Sequence, residues 1–279
     1  AHFKGEFTGG IGGKITAVRV ERADDRVEEM RPHRARVDGR DAFAGFCVVF
    51  EQLPFGLFNR ASGQDFVFTK DLVDGLDLHT VCQSARCPNM AECWQKRTAT
   101  LMILGNSCTR NCRYCSVPSG KPEPVEVDEP LRVAKAIQKM GLRHAVITSV
   151  TRDDLPDGGA GHIAETVRTV RAVNPKTTIE VLVPDFIGDA AAVETVLASQ
   201  PDVFGHNIET VERLYPSVRG KRCTYRTALG VLEMAANWEP RTIVKSAFML
   251  GHGETEDEIK QALHDLLEGG CEAVCMGQY

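Results

Sequence analysis

The sequence predicts an α/β fold, a partial (β/α)6 TIM-like barrel preceded by an N-terminal extension that carries cysteines. From about Ala99 onward, short apolar runs alternate with amphipathic stretches, which is typical of repeated β-α units and a parallel sheet. Six of the ten cysteines lie in two tight groups, one ahead of the first predicted strand and one directly after it. The second group is therefore expected at the carboxyl ends of the strands, where parallel α/β barrels carry their chemistry.

The predicted strands are short runs of apolar and β-branched residues, and glycine, asparagine or proline often follows them. They fall near residues 100–104, 144–150, 178–183, 203–207, 243–250 and 273–278. The helices between them fall near residues 128–140, 162–173, 190–199, 227–237 and 256–268. This gives six β-α steps, of which the last lacks its helix.

Local signals support the helix boundaries. The first helix begins near Asp128 with Pro130 in its opening turn, and Gly141 ends it. Asn174-Pro175 closes the second helix, because a residue before proline is biased away from helical geometry. The last helix opens with the capping box Thr255–Glu258.

The two cysteine groups have different spacings. The sequence reads C-x4-C-x5-C and then C-x3-C-x2-C, at Cys82, Cys87 and Cys93, and at Cys108, Cys112 and Cys115. Thiolates this closely spaced, with arginines among them, suit soft metal centres. Disulfide bonds are an alternative, but they belong to small secreted chains with a signal segment. Structural zinc is another, although it usually takes four ligands in two short pairs.

Composition narrows the class of protein. Hydrophobic residues make up 43% and charged residues 25% of the chain, and the net charge is -5. These values are ordinary for a soluble enzyme and do not indicate nucleic-acid binding. No apolar run approaches the eighteen or so residues that span a bilayer, so we expect no membrane role. Many thiols without a secretory signal favour a reducing compartment, which predicts a cytoplasmic location.

Several stretches from about residue 64 onward carry a family resemblance. They read LHTVC at 78–82, ARCPN at 85–89, ECW at 92–94, CTRNCRYC at 108–115, TSVTRDD at 148–154, PDGG at 156–159, HNIETV at 206–211, MLG at 249–251, GET at 253–255 and GQY at 277–279. With these motifs the chain resembles the lipoyl synthases, which are radical S-adenosylmethionine (SAM) enzymes. The C-x4-C-x5-C group separates that family from radical SAM enzymes that share only C-x3-C-x2-C.

The resemblance implies a barrel of the radical-SAM type and two 4Fe-4S clusters. Cys108, Cys112 and Cys115 would hold the catalytic cluster, whose fourth iron stays open for SAM. One electron would cleave SAM to a 5'-deoxyadenosyl radical, which abstracts hydrogen from an unactivated C-H bond. The other three cysteines would hold an auxiliary cluster that donates sulfur. The implied reaction inserts two sulfur atoms, at C6 and C8 of a protein-bound octanoyl-lysine.

The resemblance also implies the residues that contact SAM. Tyr114 is expected near the adenine, and Gly158-Gly159 would let the backbone approach the methionine end. Candidates for the ribose and further polar contacts are Asn207, Glu209, Ser246, Gln278 and Tyr279. Of the other cysteines, we predict buried core thiols at Cys271 and Cys275 and bystanders at Cys47 and Cys223.

The domain organisation follows from the extent of the resemblance. Residues 1–63 do not match the family, and poor order is one expectation for them; residues 64–98 form the auxiliary-cluster segment and residues 99–279 the partial barrel. Implied partners are octanoylated lipoyl-carrier domains, namely the acyltransferase subunits of 2-oxoacid dehydrogenases and the glycine cleavage H protein, together with an electron-donor protein.

The sequence departs from the family at its end. It stops after the sixth strand and contains no Arg-Ser-Ser-Tyr motif, whose serine ligates the auxiliary cluster in the family. We therefore expect that cluster to be held incompletely, and apolar surface on the sixth strand to be exposed. Two alternatives stay open: another sulfur-inserting radical SAM enzyme, of the biotin synthase or methylthiotransferase kind, or an inactive, truncated iron-sulfur-binding relative.

Overall fold

The computed structural model describes residues 63–279 and two earlier strands, β1 (Ala17–Val20) and β2 (Phe46–Glu51). The further strands are β3 (His79–Thr80), β4 (Thr100–Ile103), β5 (His144–Ser149), β6 (Thr178–Leu182), β7 (Val203–Gly205), β8 (Ile243–Leu250) and β9 (Ala273–Gln278). The α-helices are α1 (Gln64–Gly75), α2 (Val81–Ser84), α3 (Met90–Gln95), α4 (Glu129–Met140), α5 (Ala160–Val173), α6 (Ala190–Leu197), α7 (Tyr215–Val218), α8 (Tyr225–Ala236) and α9 (Glu256–Glu268).

The described strands form one open sheet. Strands β4 to β9 pair side by side in chain order and all in parallel, which confirms the predicted α/β class and its six barrel strands. Beyond them, β3 pairs antiparallel with β4, and β2 pairs parallel with β9 and antiparallel with β1. Because the edges β1 and β3 do not meet, the six parallel strands form a partial barrel.

The predicted helix signals operate as expected. Pro130 stands in the first turn of α4, and Gly141 ends that helix with a φ of +67°, in the left-handed region that favours glycine. The capping box of α9 is complete, since the Thr255 hydroxyl accepts from the Glu258 N–H and the Glu258 side chain accepts from the Thr255 N–H. Helices α4, α5, α6, α8 and α9 follow β4, β5, β6, β7 and β8 respectively, as repeated β-α units require.

The two faces of the sheet differ in polarity. On β8, Val244 and Phe248 belong to the main apolar core, and they are 0% and 2% exposed. The opposite face carries polar residues around the buried Glu180 of β6, which accepts from Lys245 at 2.7 Å and pairs with His144 at 2.9 Å. Neighbouring residues of a strand point to opposite faces, so each strand contributes to both.

One sequence expectation about the sixth barrel strand is wrong. We expected its apolar surface to be exposed, but Val274 and Met276 of β9 are 0% and 2% exposed and belong to the core. On its other side, β9 pairs through its backbone with β2, which the sequence did not predict. The side chains of β2 and the rest of residues 1–62 lie outside the described part of the chain.

The segment ahead of the barrel has a small core of its own. Phe66 on α1, Cys82 on α2, Trp94 on α3 and Ala99 form this second cluster, in which the Phe66 and Trp94 rings lie 5.4 Å apart. The short strand β3 joins the segment to the barrel, with His79 in register with Met102 of β4. The division into segments at residues 64–98 and 99–279 stays a prediction. Within the described residues, no helix has the length and apolarity needed to cross a membrane.

Candidate active site

The loop that carries Cys108, Cys112 and Cys115 follows β4, as predicted, and folds back on itself. Cys108 N–H donates to the Pro118 carbonyl at 2.8 Å, and Gly120 N–H donates to the Cys108 carbonyl at 2.9 Å. Cys115 N–H donates to the Cys112 carbonyl at 3.1 Å. The three thiols therefore stand on one short, internally bonded loop at the carboxyl end of the first barrel strand.

A buried arginine fastens this loop to the next two barrel strands. The Arg110 guanidinium donates two hydrogen bonds of 2.9 Å to Asp153, which follows β5, and reaches Asp185, which follows β6, at 2.6 and 2.8 Å. Burial would raise the pKa of Asp185, but the bonds from Arg110 outweigh it and lower the pKa to about 2. Asp185 is therefore a carboxylate at neutral pH and pairs with the Arg110 guanidinium as an ion.

A second set of bonds runs between the same loops. Thr109 donates through its N–H and its hydroxyl to the Thr151 carbonyl, at 3.1 and 3.0 Å. The same hydroxyl accepts from the Asp153 N–H at 3.1 Å. Thr109 and Arg110 thus hold the cysteine loop to the loop after β5, through Thr151 and Asp153.

The donor set fits an iron-sulfur cluster. Cys108 and Cys112 are half-buried and Cys115 is exposed, so the sulfurs stand at the surface of the loop. Burial raises the pKa of Cys115, and the nearby Cys108 raises it further, which shows that the thiols influence one another electrostatically. Soft thiolates on one loop suit such a cluster. Within residues 63–279, no three His, Cys, Asp or Glu side chains are grouped in a way that would hold a single metal ion.

Three predicted cofactor contacts meet at one place. Asn207 and Tyr114 lie beside the Glu209 carboxylate, which follows β7. Arg219 joins them, with its Nη1 3.4 Å from the Tyr114 Oη and 3.8 Å from the Glu209 carboxylate. Burial raises the pKa of Glu209, while the nearby side chains of Arg219, Asn207 and Tyr114 oppose that rise. This polar group borders the cysteine loop, because Tyr114 belongs to both.

Because Cys223 stands alone in the sequence, we predicted that it takes no part in the site. The structure instead places its thiol in contact with residues of the site. Its sulfur lies 2.9 Å from Arg110 Nη1 and 3.9 Å from Arg219 Nη2. The Cys112 thiol also contacts Arg219, through the main-chain carbonyl at 3.6 Å, so both thiols lie against this one residue. The sequence placed these cysteines far apart, and only the fold brings the second one to the loop.

The glycine pair has a structural explanation. Gly158 and Gly159 have φ values of +62° and +89°. A Cβ would stand 2.9 Å from the Phe186 ring at Gly158 and 2.5 Å from the Leu104 side chain at Gly159. Their N–H groups donate to the Leu155 carbonyl and the Asp157 carboxylate. The two glycines therefore allow Phe186 and Leu104 of the protein itself to pack closely against the backbone. A contact of this backbone with the methionine end of SAM stays a proposal.

Ser246, another of the predicted contacts, is buried on β8, and a contact with the cofactor stays a proposal. It shares a face with Val244 and Phe248, is 0% exposed, and accepts from the Ile208 N–H at 3.3 Å. Its hydroxyl therefore anchors the chain that leaves β7. The predicted pair at the end of β9 is exposed instead: Gln278 aligns with Leu250, and Tyr279 stacks on His252 at 4.0 Å.

The other cysteine group lies on the segment ahead of β4. Cys82 is buried on α2, Cys93 is half-buried on α3, and Cys87 lies between these helices. Burial raises the pKa of Cys93, and Cys82 and Cys87 raise it further, so these thiols also interact. Ser84 of α2 donates to Asn106, in the loop after β4, at 2.9 Å. The segment therefore contacts the loop that carries the first group.

Comparison with known proteins identifies the family. The sequence model of the radical SAM superfamily matches residues 102–266. A lipoyl synthase of Rubrobacter xylanophilus is 54% identical over 210 residues, which cover 75% of this chain and 65% of that protein. A lipoyl synthase of Caldanaerobacter subterraneus is 49% identical over 220 residues, which cover 79% of this chain and 77% of that protein. The chain belongs to the lipoyl synthase family.

A solved structure agrees on the fold. The structure of HydG, a maturase of the [FeFe]-hydrogenase, has a TM-score of 0.51 and 13% identity, and the match covers 78% of this chain and 48% of HydG. At that identity the likeness shows the fold alone. As a lipoyl synthase family member within the radical SAM superfamily, the chain is expected to use SAM and a 4Fe-4S cluster, and the donor set of the Cys108–Cys115 loop fits that cluster. The chain spans about two thirds, 65%, of the Rubrobacter lipoyl synthase.

The sequence analysis of this lipoyl synthase family member did not identify several residues of the site. Arg219, Asp185 and His252 lie outside the cysteine motifs, and each reaches a predicted residue or its neighbour only through the fold. For Asp185 a signal was present, since it follows a predicted strand in Pro184-Asp185, where a barrel rim residue is expected. Arg219 stands in a loop between short helices, and no periodic pattern marks it.

Proposed function

We propose that this chain inserts sulfur at C6 and C8 of an octanoyl group carried on a lysine of a small carrier domain. The observation that carries the proposal is the presence of two interacting cysteine triads, one on the barrel rim and one on a segment bonded to the same rim. Two insertions need a centre for radical generation and a source of sulfur, and two thiolate sets supply both. The 49–54% identity to lipoyl synthases supports the same reaction.

The rim triad, Cys108, Cys112 and Cys115, would hold the catalytic 4Fe-4S cluster. When bound, that cluster supplies the electron that cleaves SAM to a 5'-deoxyadenosyl radical. The protein contributes rigidity: Arg110, its two carboxylate partners and Thr109 fix the loop that carries the thiols. The triad Cys82, Cys87 and Cys93 would hold the second, auxiliary cluster as the sulfur donor.

We assign the polar group around Glu209 to SAM. Tyr114 would contact the adenine, and Asn207 and Glu209 would contact the ribose hydroxyls, which carboxylate and amide groups bind well. Arg219 would orient Glu209, and its positive charge opposes the rise in the pKa of Glu209 that burial causes. Gln278 and Tyr279 are further candidates, and the stacking of Tyr279 on His252 fixes an aromatic surface near them.

The partners follow from the reaction. The substrates would be octanoylated acyltransferase subunits of 2-oxoacid dehydrogenases and the octanoylated glycine cleavage H protein. A small electron-donor protein would reduce the catalytic cluster. We place the reaction in the cytoplasm, where thiols remain available as ligands.

The test uses the full chain reconstituted anaerobically with iron and sulfide, then given SAM, a reductant and an octanoylated carrier domain. We expect 5'-deoxyadenosine in the small-molecule fraction and a carrier whose mass rises by two sulfur atoms less the hydrogens they replace. Cofactor cleavage without any mass gain would leave only the broader radical SAM class. An iron-loaded chain that produces no 5'-deoxyadenosine would show a noncatalytic iron-sulfur protein and overturn the proposal.

A further inference from the structure

Cys223 lies outside both cysteine triads, yet its thiol contacts one of them. Within the described residues it is 4% exposed, and its sulfur lies 2.9 Å from Arg110 Nη1. Arg110 is itself fixed by its two carboxylates, so the Cys223 sulfur has a defined position. The proposed cluster ligands do not include this thiol, and the reaction assigns it no role.

The Cys112 sulfur is brought to Cys223 by bonds on both sides. Arg113 N–H donates to the Val218 carbonyl at 3.0 Å, and the Cys112 thiol contacts the Arg219 carbonyl at 3.6 Å. These contacts hold the cysteine loop against the segment that leads to Cys223. Arg219 contacts both thiols, Cys112 through its carbonyl and Cys223 through its guanidinium at 3.9 Å. A disulfide needs its two cysteines close together with little backbone movement, and this arrangement provides that closeness.

We propose that, in the chain without its cluster, Cys112 and Cys223 form a reversible disulfide bond that withdraws one ligand from the catalytic triad. Cys112 is half-buried and can meet an oxidant, whereas Cys223 is buried beside it and resolves the product. Formation of the disulfide does not depend on the proposed function; only its consequence for cluster loading rests on the assignment of Cys112 as a ligand.

The exchange balances with a small disulfide, such as glutathione disulfide, as oxidant. The Cys112 sulfur attacks one sulfur of the oxidant, whose S–S bond breaks, and the first glutathione leaves as a thiol with one proton. The Cys223 sulfur then attacks the Cys112 sulfur of the mixed disulfide, and the second glutathione leaves with another proton. The two protein thiols lose two electrons and two protons, and one glutathione disulfide becomes two glutathione thiols.

The test maps disulfides in the full, cluster-free chain. The chain is treated with excess glutathione disulfide under anaerobic conditions, alkylated, and digested without reductant for mass spectrometry. We expect the peptide of Cys112 joined to that of Cys223 as the main product for the rim triad. Cys112 found free, or joined mainly to Cys108 or Cys115, would overturn the proposal. This result depends on neither SAM nor substrate, so it stands apart from failure of the proposed function.

A loading experiment tests the consequence, in a background whose Cys82, Cys87 and Cys93 are alanine, so that iron reports the rim triad alone. After oxidation, iron per chain should fall from about four to below about one, and dithiothreitol should restore it. In Cys223→Ala and Cys223→Ser the same oxidation should leave Cys112 as its mixed disulfide with glutathione, seen as one added glutathione by mass spectrometry, because no thiol resolves it. Cys271→Ala, which removes a buried thiol elsewhere, should behave as the parent and carry no glutathione at Cys112. A parent that retains glutathione at Cys112 as the Cys223 variants do would contradict the proposal.

Discussion

The two cysteine triads are held in different ways. The rim loop is fastened by long-range bonds, since Arg110 reaches Asp153, Asp185 and Cys223 across 43, 75 and 113 positions of the chain. The triad ahead of the barrel depends on short-range bonds, such as Cys87 N–H to the Cys82 carbonyl and Cys93 N–H to the Asn89 carbonyl. The catalytic loop is therefore an integral part of the barrel, whereas the auxiliary segment is a local unit that packs around its own small core.

Substitutions in the two triads should have the largest effects, and each should abolish a different step of the reaction. Cys108→Ala should abolish the formation of 5'-deoxyadenosine, because the cluster that delivers the electron loses a ligand. Cys82→Ala should leave that cleavage within about threefold of the parent, and should abolish sulfur transfer to an octanoylated carrier. Both products can be quantified in one assay by mass spectrometry. Loss of cofactor cleavage in both variants would show that the triads do not act separately.

The next effect is on stability. Arg110→Met should lower the free energy of unfolding by about 3–5 kcal/mol, because it leaves Asp153 and Asp185 buried without their partner. Chemical denaturation of the cluster-free chain measures the loss. The control is Arg213→Met, which removes a comparable two-oxygen contact to Glu258 at the exposed surface and should cause no measurable loss. Equal effects of the two substitutions would mean that the loop is not anchored through Arg110.

The auxiliary segment should respond locally to the loss of its core. Trp94→Ala should cost about 3 kcal/mol in the segment, because Trp94 is 1% exposed and packs on Phe66. Limited proteolysis should then cut between residues 64 and 98 while the barrel stays resistant. Val67→Ala, at an exposed position of α1, is the control. Cleavage spread evenly over the barrel would contradict a local unit.

The smallest expected effect is on pH dependence. Burial lowers the pKa of His206 to about 4, with a smaller lowering from the positive charge of Arg219. The folded pKa lies below the ordinary value of about 6.5, so the unfolded chain binds a proton first, and stability falls as pH drops from about 6.5 to about 4. The loss attributable to this group is up to about 3 kcal/mol.

Denaturation at several pH values, with His206→Asn as the comparison, isolates this effect. Asn can still donate to the Val183 carbonyl, as the His206 Nδ1–H does at 2.8 Å, but it does not titrate. The variant should therefore lose less stability than the parent between pH 6.5 and 4. Parallel curves for the two proteins would show that His206 is not held neutral by the fold.

The sequence predicted what depends on local pattern. The strands and the capped helix α9 follow from apolar runs and from the Thr255–Glu258 box, which act within a few residues. The six cysteines were found because their spacing is itself the signal. The burial of Ser246 also follows from local pattern, because it has the same parity on β8 as Val244 and Phe248.

What the sequence could not give depends on contacts between distant segments. Cys223 reaches Cys112 only because the segment after α7 folds over the cysteine loop, and Arg219 joins Tyr114 and Glu209 for the same reason. The pairing of β2 with β9 crosses most of the chain, and no local pattern fixes the partner of a strand. Burial of Val274 and Met276 likewise depends on the surroundings of β9 rather than on its own sequence.

Hydrogen-deuterium exchange on the cluster-free chain tests the central claim, that the rim loop is anchored to the barrel and the auxiliary segment only locally. The amides of Cys108, Thr109 and Arg113, whose bonds reach Pro118, Thr151 and Val218, should be protected nearly as well as the barrel strands. The amides of Cys87 and Cys93 should exchange at least about tenfold faster, through local opening. Equal protection of the two triads, or a rim loop that exchanges as freely as the auxiliary segment, would contradict the account.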